Sequence, residues 1–308
     1  MRILIEPPTW LGDALMATPA IENLANFQNE VEITLIGSLA SIEVFRNHQK
    51  VIKTVVLDKK YSSLVKISKE LGSFDAFFSF RSSYRSKLLK LLISANNKHQ
   101  FKKSKYPNRH QVEKYNDFVN NSLGTNFAAR KLVLHAIDSK LNNHNLKLGI
   151  NPGASYGSSK RWYPKEFSKV AAELSAKFDI IIFGGQSEVD IANDIEKSLI
   201  KKGISNYQNL AGKTTISELI NQISSLDLFI TGDSGPMHIA ATFQIPTVAI
   251  FGPTKDNETS QWMNEKSVIV KKNLECQPCM KRTCPLKHHN CMKMVMASDV
   301  LRAVNTFD

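Results

Sequence analysis

The sequence LDLFITGDSGPMHIAATFQIPTVAIF, residues 226–251, predicts a strand, a sharp turn, a helix and a second strand. The apolar runs Leu226–Thr231 and Thr247–Phe251 predict the strands, and Pro236–Phe243 between them predicts the helix. Two glycines mark the turn, and Pro236 suits the first position of a helix. Because both strands are almost wholly apolar, we expect them in a parallel sheet that helices cover on both faces.

The same alternation of strands and helices fills the rest of the chain. In the first half, the predicted strands are Ile3–Ile5, Ile33–Ile36, Thr54–Leu57 and Phe74–Phe80. The predicted helices of that half are Asp13–Asn26, Ser41–Asn47, Tyr61–Leu71 and Tyr84–Ser94. The second half adds the strands Leu148–Asn151 and Asp179–Phe183 and the helices Pro164–Lys177, Val189–Lys201, Ile216–Ser224 and Ser298–Asn305. This order is typical of doubly wound α/β domains.

A polar segment at Asp138–His144 separates the two halves. The chain has 308 residues, which suits two domains, and we place these at residues 1–143 and 144–308. We expect two Rossmann-like, doubly wound halves that face each other across a cleft. Ligands of such sheets bind outside the carboxyl ends of the strands, so the loops that follow the strands are the candidate functional segments.

The net charge of +12 indicates anionic partners, among which nucleic acid, an acidic membrane surface and a phosphorylated substrate all qualify. No apolar run reaches the roughly 18 residues that span a bilayer, and the first residues do not resemble a signal peptide. We therefore expect a cytoplasmic protein. The absence of G-x-x-x-x-G-K-[ST], of G-x-G-x-x-G after either first strand and of H-E-x-x-H disfavours a P-loop NTPase, a dinucleotide oxidoreductase and a catalytic metal.

The loop after the first strand places Gly12 and Asp13 at the start of the first predicted helix. Asp13 has two compatible interpretations. It is a good helix N-cap, and it is also a carboxylate that could take a proton from an acceptor hydroxyl at the cleft. A helix N-terminus stabilises the ionised carboxylate, which suits a base.

Two loops of the second half have residues that suit phosphate. Residues 151–162, NPGASYGSSKRW, combine small and hydroxylated side chains with Lys160 and Arg161, although a flexible solvated loop explains them equally well. In residues 231–238, TGDSGPMH, the backbone N–H groups of Ser234–His238 could bind an anion. The histidine of that run is, taken alone, better explained as a packing residue.

A third loop, after the strand Asp179–Phe183, begins with Gly184 and Gly185. A glycine pair at a strand end allows the close approach of a base or ribose, and a plain turn explains it nearly as well.

Cations dominate residues 81–114, in which Glu113 is the only acidic residue. The cations are Arg81, Arg85, Lys87, Lys90, Lys98, Lys102, Lys103, Lys105, Arg109 and Lys114. A charge run is usually a solvated face, but this one-sided bias favours docking to an anionic acceptor or to an anionic membrane leaflet.

The four cysteines, Cys276, Cys279, Cys284 and Cys291, have the spacing C-x₂-C-x₄-C-x₆-C, with His288 and His289 inside it. Thiolates at this spacing could hold a structural Zn²⁺. Reduced thiols that pack a loop are the favoured interpretation, because the paired spacing of a zinc knuckle is absent.

Five short motifs occur in the order known from one family: WLGD at 10–13, PGA at 152–154, KRWYP at 160–164, NLAG at 209–212 and GDSGPMH at 232–238. They resemble the ADP-heptose:lipopolysaccharide heptosyltransferases of glycosyltransferase family 9. The tail, CQPCMKRTCP at 276–285 and HHNCM at 288–292, resembles the heptosyltransferase II branch in particular.

The resemblance implies a GT-B fold and an inverting, metal-independent glycosyltransferase without a cofactor. It would move L-glycero-D-manno-heptose from ADP-heptose to the first heptose of the lipopolysaccharide inner core, which Kdo joins to lipid A, at the inner face of the cytoplasmic membrane. The alternatives are heptosyltransferase I or another GT-B transferase with a different acceptor. The charge alone suggests an alternative of another class, a non-catalytic nucleic-acid-binding protein.

The resemblance also implies roles for residues that match the family motifs. Asp13 matches the general base, and Lys160 matches a diphosphate-binding lysine. Gln186 stands near an acidic donor contact of relatives, and Glu188 could replace it. The donor loop comprises Asp233, Ser234, Gly235, Pro236, Met237 and His238. The candidate acceptor contacts are Trp10, Arg81, Arg85, Lys87 and Arg109.

Overall fold

A computed structural model of the protein describes residues 1–58, 60–135 and 145–307. The chain divides into two compact units, Met1–Ile137 (unit 1) and Asp138–Asp308 (unit 2). The predicted linker, Asp138–His144, and the predicted boundary at 143/144 lie outside the described residues. The domain limits therefore stay a prediction.

Unit 1 is a parallel sheet with helices. Its strands are β1 (Arg2–Glu6), β2 (Glu32–Gly37), β3 (Val51–Val56), β4 (Ser73–Ser79) and β5 (Ser94–Gln100). Its helices are α1 (Leu11–Met16), α2 (Thr18–Ala25), α3 (Leu39–Phe45), α4 (Tyr61–Glu70), α5 (Tyr84–Leu92) and α6 (Gln111–Leu123). The strand order is β3-β2-β1-β4-β5, and every neighbouring pair is parallel. Ile3, Leu4 and Ile5 of the central β1 are completely buried, as a strand covered on both faces requires.

The first predicted helix, Asp13–Asn26, is two helices in the structure. Ala17 separates α1 from α2. Pro19 near the start of α2 has no N–H to donate to the preceding turn. The Thr18 hydroxyl instead donates a hydrogen bond to the Leu15 carbonyl at 2.7 Å. The prediction of one continuous helix was therefore wrong at this proline.

Two elements of unit 1 were not predicted. β5 has the polar sequence SANNKHQ and lies at an edge of the sheet, so it lacks the apolar signal of the inner strands. The predicted helix Tyr84–Ser94 ends earlier, at Leu92, because Ser94 already belongs to β5. α6 begins with a capping box between His110 and Glu113 and ends at a left-handed Gly124, φ 68°.

Unit 2 repeats the architecture. Its strands are β6 (Lys147–Asn151), β7 (Asp179–Ile182), β8 (Tyr207–Asn209), β9 (Leu228–Gly232), β10 (Thr247–Ile250) and β11 (Ser267–Val270). Its helices are α7 (Pro164–Leu174), α8 (Val189–Lys201), α9 (Ile216–Ser224), α10 (Gly235–Thr242), α11 (Asp256–Thr259), α12 (Asn290–Lys293) and α13 (Ala297–Val304). The strand order is β11-β10-β9-β6-β7-β8, again parallel throughout. β8 and β11, the two edge strands, were not predicted.

The core of unit 2 contains Trp162 of the KRWYP motif. Trp162 is 1% exposed, its indole N–H donates to the Val295 carbonyl at 2.9 Å, and its ring meets Phe167 edge to face at 4.7 Å. This tryptophan therefore anchors the loop before α7 to the interior. Within the described residues, no helix is both long and apolar enough to cross a membrane.

Candidate active site

Three loops of unit 2 follow neighbouring strands and meet at one edge of its sheet. β6 lies between β9 and β7, and the three strands are parallel, so their carboxyl ends share that edge. The loop after β6 carries Lys160, the loop after β9 carries Asp233 and Ser234, and the turn after β7 carries Glu188. The structure thus brings together the main residues predicted to bind the donor.

Lys160 and Asp233 form a buried ion pair. The Lys160 Nζ lies 2.5 Å from the Asp233 Oδ2 and donates to the Asp233 carbonyl oxygen at 3.2 Å. The Thr254 hydroxyl donates a further hydrogen bond to the same Oδ2 at 2.6 Å. The Asp233 side chain is 4% exposed and that of Lys160 is 11% exposed. Lys160 is therefore fixed in place, and its charge is balanced by Asp233.

Hydrogen bonds between side chains shape the turn from β9 to α10. The Asn151 side-chain amide donates to the Ser234 hydroxyl at 3.0 Å and to the Thr231 hydroxyl at 3.3 Å. Ser234 occupies the N-cap of α10, but its side chain does not cap the helix. The end of β6 and the start of α10 are therefore tied together.

The first turn of α10 offers fewer donors than its sequence suggested. Pro236 has no N–H, and the Met237 N–H donates to the Ser234 carbonyl at 3.2 Å. The side chain of Met237 is completely buried, and His238 is 2% exposed. Both side chains therefore belong to the interior of unit 2. Gly235 at the start of the helix keeps the backbone open to close approach, because it has no side chain.

Glu188 links the turn after β7 to the loop after β6. Its carboxylate accepts a hydrogen bond from the Gly185 N–H at 2.8 Å, and it is 6% exposed. A Cβ on Gly153 would lie 2.0 Å from the Glu188 Cδ, so only glycine fits beside this carboxylate. Gln186 is exposed, and its Oε1 would lie 2.9 Å from a Cβ on Gly212. Glu188 supports the local backbone, while Gln186 is accessible from solvent.

Asp13 of unit 1 lies in the first turn of α1. The helix begins at Leu11, and its N-cap is Trp10. The N-cap interpretation of Asp13 was therefore wrong, although the first turn still stabilises a carboxylate through the helix dipole. Asp13 is half-buried. Burial raises the pKa of the Tyr115 phenol well above its usual value, and the charge of Asp13 raises it further, so the two side chains are near each other. Trp10 is 56% exposed.

Glu6, the last residue of β1, is a buried carboxylate that the sequence analysis missed. Glu6 is completely buried, lies 3.1 Å from the Arg81 guanidinium, and accepts hydrogen bonds from the hydroxyls of Ser79 at 2.6 Å and Ser86 at 2.9 Å. Burial raises the pKa of Glu6, and the charge of Arg81 opposes that rise. An acidic residue at the end of an apolar strand was the signal in the sequence. Arg81, predicted as an acceptor contact, holds Glu6.

Arg85 and Lys87, two further predicted acceptor contacts, lie on α5. The Arg85 guanidinium donates to the Asp58 carbonyl at 2.8 Å, which holds its side chain against the neighbouring loop. The Lys87 ammonium lies 5.0 Å from the ring centre of Tyr84, which is 85% exposed. Lys87 therefore stands at the surface, beside an exposed aromatic ring.

The rest of the basic segment is not uniform. Arg109 pairs with Glu113 at 2.9 Å and with Asp117 at 2.7 Å. Lys114 is 2% exposed and belongs to the buried face of α6, so it does not contribute to a basic surface. The exposed lysines of the loop before α6 are Lys102, Lys103 and Lys105.

The four cysteines surround one small cavity in unit 2. The cavity measures about 20 Å³ and is also lined by Ser159, His288 and His289. All four cysteines are free thiols. Burial, with a smaller effect of the other three thiols, raises the pKa of Cys291 to about 11. This pKa describes the metal-free thiol, because a bound Zn²⁺ would displace its proton. The zinc hypothesis stays a prediction.

Another cluster, in unit 1, has the spacing of a metal site. The ligand atoms of Glu22, His48 and His135 lie within 4.8 Å of one another. The Glu22 Oε1 lies 2.8 Å from the His135 Nε2 and 3.2 Å from the His48 Nε2. The His48 Nδ1 accepts the Lys50 N–H at 3.1 Å, so the neutral ring carries its proton on Nε2. Nε2 then has no lone pair for a metal, and within the cluster Glu22 and His135 are hydrogen-bonded to each other.

Comparison with known proteins identifies the family. The model of glycosyltransferase family 9 (heptosyltransferase) matches residues 78–290, which is more than half of the chain. The chain belongs to glycosyltransferase family 9. The lipooligosaccharide heptosyltransferase 2 of Campylobacter jejuni serotype O:2 is 42% identical over 309 residues, which are 98% of this chain and 96% of that protein. The family resemblance of the motifs is thereby confirmed, and this family 9 member is a glycosyltransferase.

Solved structures of heptosyltransferases share its fold. The structure of the Escherichia coli ADP-heptose lipopolysaccharide heptosyltransferase II matches with a TM-score of 0.80 and 18% identity, over 99% of this chain and 98% of that one. The E. coli heptosyltransferase WaaC with ADP matches with a TM-score of 0.77 and 14% identity, over the whole of both chains. These similarities confirm the predicted GT-B fold class. The roles of individual residues stay predictions.

Proposed function

We propose that this enzyme transfers L-glycero-D-manno-heptose from ADP-heptose to the first heptose of a lipopolysaccharide inner core, with inversion and without a metal ion. The identity of 42% over nearly the full length of two lipooligosaccharide heptosyltransferases 2 supports the acceptor. The observation that carries the donor assignment is the fixed Lys160 beside the N-terminus of α10. A cation and a helix N-terminus at one strand edge suit a diphosphate.

In this proposal, unit 2 stabilises the leaving group. As the bond between the anomeric carbon and the diphosphate oxygen breaks, its electron pair stays on ADP. Lys160 donates to a phosphate oxygen, and the backbone at Ser234 and Gly235 adds the positive end of the α10 dipole. Asp233 is an anion and would repel phosphate, so it acts by holding Lys160. The exposed Gln186 is available for a hydroxyl of the donor.

Asp13 is the proposed general base. Its carboxylate takes the proton of the acceptor hydroxyl while the hydroxyl oxygen bonds to the anomeric carbon. Its position in the first turn of α1 places the carboxylate at the positive end of the helix dipole, which favours the ionised form that a base requires.

The test is a transfer assay with ADP-heptose and three acceptors, read by the mass of the product. The acceptors are Kdo-lipid A without heptose, with one heptose and with two heptoses. We expect product from the one-heptose acceptor, and equal rates with and without EDTA. UDP-glucose is the matched control donor. Product from the heptose-free acceptor would indicate heptosyltransferase I instead, and no product from any acceptor would contradict the proposal.

We also propose that the enzyme is cytoplasmic and contacts the inner face of the cytoplasmic membrane peripherally. The exposed Lys102, Lys103 and Lys105 of unit 1 support this, because each cation near an anionic surface contributes about 1 kcal/mol. Binding to vesicles that contain phosphatidylglycerol should fall steeply as salt rises, with phosphatidylcholine vesicles as the control. Binding that salt does not weaken would contradict the electrostatic contact.

A further inference from the structure

The ion pair at the donor site leaves a shortage of positive charge. Each phosphate of a sugar nucleotide is negative, but the charge of Lys160 is balanced by Asp233 at 2.5 Å. The pair as a whole is neutral, so its attraction for a diphosphate is weaker than that of an isolated lysine. If the proposed function holds, a further cation is needed close to Lys160.

Arg282 and Lys160 both contact the ring of Tyr156. The Lys160 ammonium is 4.8 Å from the ring centre of Tyr156, and the Arg282 guanidinium is 5.5 Å from it. The two cations are thus no further apart than the sum of these distances. Arg282 is exposed, and no carboxylate pairs with it in the part of the chain that the structure describes. Its charge, unlike that of Lys160, is available to a ligand.

Main-chain contacts fix the position of Arg282 relative to the Lys160 loop. The Arg282 carbonyl accepts the Ser159 N–H at 3.1 Å, and the Lys281 carbonyl accepts the Ser159 hydroxyl at 2.5 Å. A Cβ on Gly157 would lie 2.3 Å from the Arg282 carbonyl oxygen, so this close approach requires glycine. Arg282 is therefore part of the same rigid surface as Lys160, although 122 residues separate Ser159 from Lys281 in the chain.

We propose that Arg282 binds the donor diphosphate together with Lys160. The inference rests on the proposed function, because it takes the loop after β6 as the diphosphate site. The planar guanidinium can donate two parallel hydrogen bonds to phosphate oxygens. It supplies the positive charge that Asp233 cancels at Lys160, and it stabilises the ADP that leaves.

The test compares ADP and AMP binding by calorimetry in Arg282→Gln, Arg282→Lys and the wild type. Arg282→Gln should weaken ADP binding about tenfold, as expected for one charge-assisted contact, and AMP binding about twofold or less. Arg282→Lys keeps the charge but loses the paired donors, so its ADP affinity should lie between that of the wild type and that of Arg282→Gln. The control is Lys293→Gln, which removes an exposed cation of α12 in the same unit and should leave both affinities unchanged.

The ratio of ADP to AMP affinity separates a phosphate contact from a structural effect. An equal loss for both nucleotides, or no loss for ADP while Lys160→Met weakens it, would overturn the role of Arg282 and leave the proposed function standing. A wild-type protein that binds neither ADP nor ADP-heptose would overturn the proposed function and this inference with it.

Discussion

Replacing Lys160 by Met tests the buried ion pair at the donor site. The substitution removes the ammonium but keeps an unbranched side chain of similar length. It leaves the Asp233 carboxylate, which is 4% exposed, with the Thr254 hydroxyl as its remaining hydrogen bond among those described above. Removing one partner of a buried pair costs about 3–5 kcal/mol. Because the Lys160 side chain is 11% exposed, water can reach the site, and we expect a cost near the lower limit, about 3 kcal/mol.

Differential scanning calorimetry of the full chain measures this cost. For a unit the size of unit 2, about 3 kcal/mol corresponds to a fall of about 6–12 °C in the unfolding midpoint. The double variant Lys160→Met/Asp233→Asn should recover at least half of that fall, because a neutral amide can still accept from Thr254. A Lys160→Met midpoint within about 2 °C of the wild type, or a double variant no more stable than the single one, would refute the reasoning.

Three further predictions concern the surroundings of the site. In Glu22, hydrogen bonds from His48 and His135 outweigh burial and lower its pKa. Its stabilising effect is therefore present above the unfolded pKa near 4.5 and is lost as the pH falls through the folded pKa. Glu22→Gln should accordingly lower the melting midpoint at pH 7, and this difference should shrink as the pH falls below 4.5. A difference that stays constant as the pH falls would contradict this. Trp162→Phe leaves the Val295 carbonyl without its indole donor, so unfolding by urea should show a loss of about 1–3 kcal/mol. A free energy of unfolding within about 0.5 kcal/mol of the wild type would contradict this. The four cysteines should titrate as four thiols after unfolding. Elemental analysis of the purified protein should find no stoichiometric zinc, and one zinc per chain would instead support the metal site.

Parallel sheets were predictable because their inner strands carry an unambiguous signal. The buried Ile3–Ile5 and Leu228–Gly232 are nearly all apolar, and helices follow them. The edge strands Ser94–Gln100 and Tyr207–Asn209 were missed because they are partly exposed and mostly polar. They therefore lack the apolar run that marks a strand buried on both faces. The break at Ala17 was missed because the apolar period continues through Pro19, which interrupts only the hydrogen bonds.

The sequence predicted which loops form the candidate site, but not which of their side chains pair with each other. Motifs after two adjacent strands placed Lys160 and Asp233 at one edge. Their pairing joins residues 73 positions apart, and no local pattern indicates it. Likewise, the sequence places Arg282 in a cysteine-rich tail, and only the hydrogen bond from the Ser159 N–H to its carbonyl links it to the loop that carries Lys160. Pairing between distant residues determines which charges are available to a ligand. The spacing of motifs along the sequence does not show this pairing.

The central claim is that Asp13 removes the acceptor proton during heptosyl transfer. Single-turnover transfer by Asp13→Asn, compared with the wild type, tests it most directly, because product release does not affect the rate. Asp75→Asn, an exposed aspartate whose carboxylate accepts the Arg2 N–H at 2.7 Å, is the matched control. We expect the Asp13→Asn rate to be about 10²–10⁴-fold lower than the wild-type rate. Its ADP affinity should stay within about twofold of the wild-type affinity. Transfer at the wild-type rate by Asp13→Asn would contradict the account.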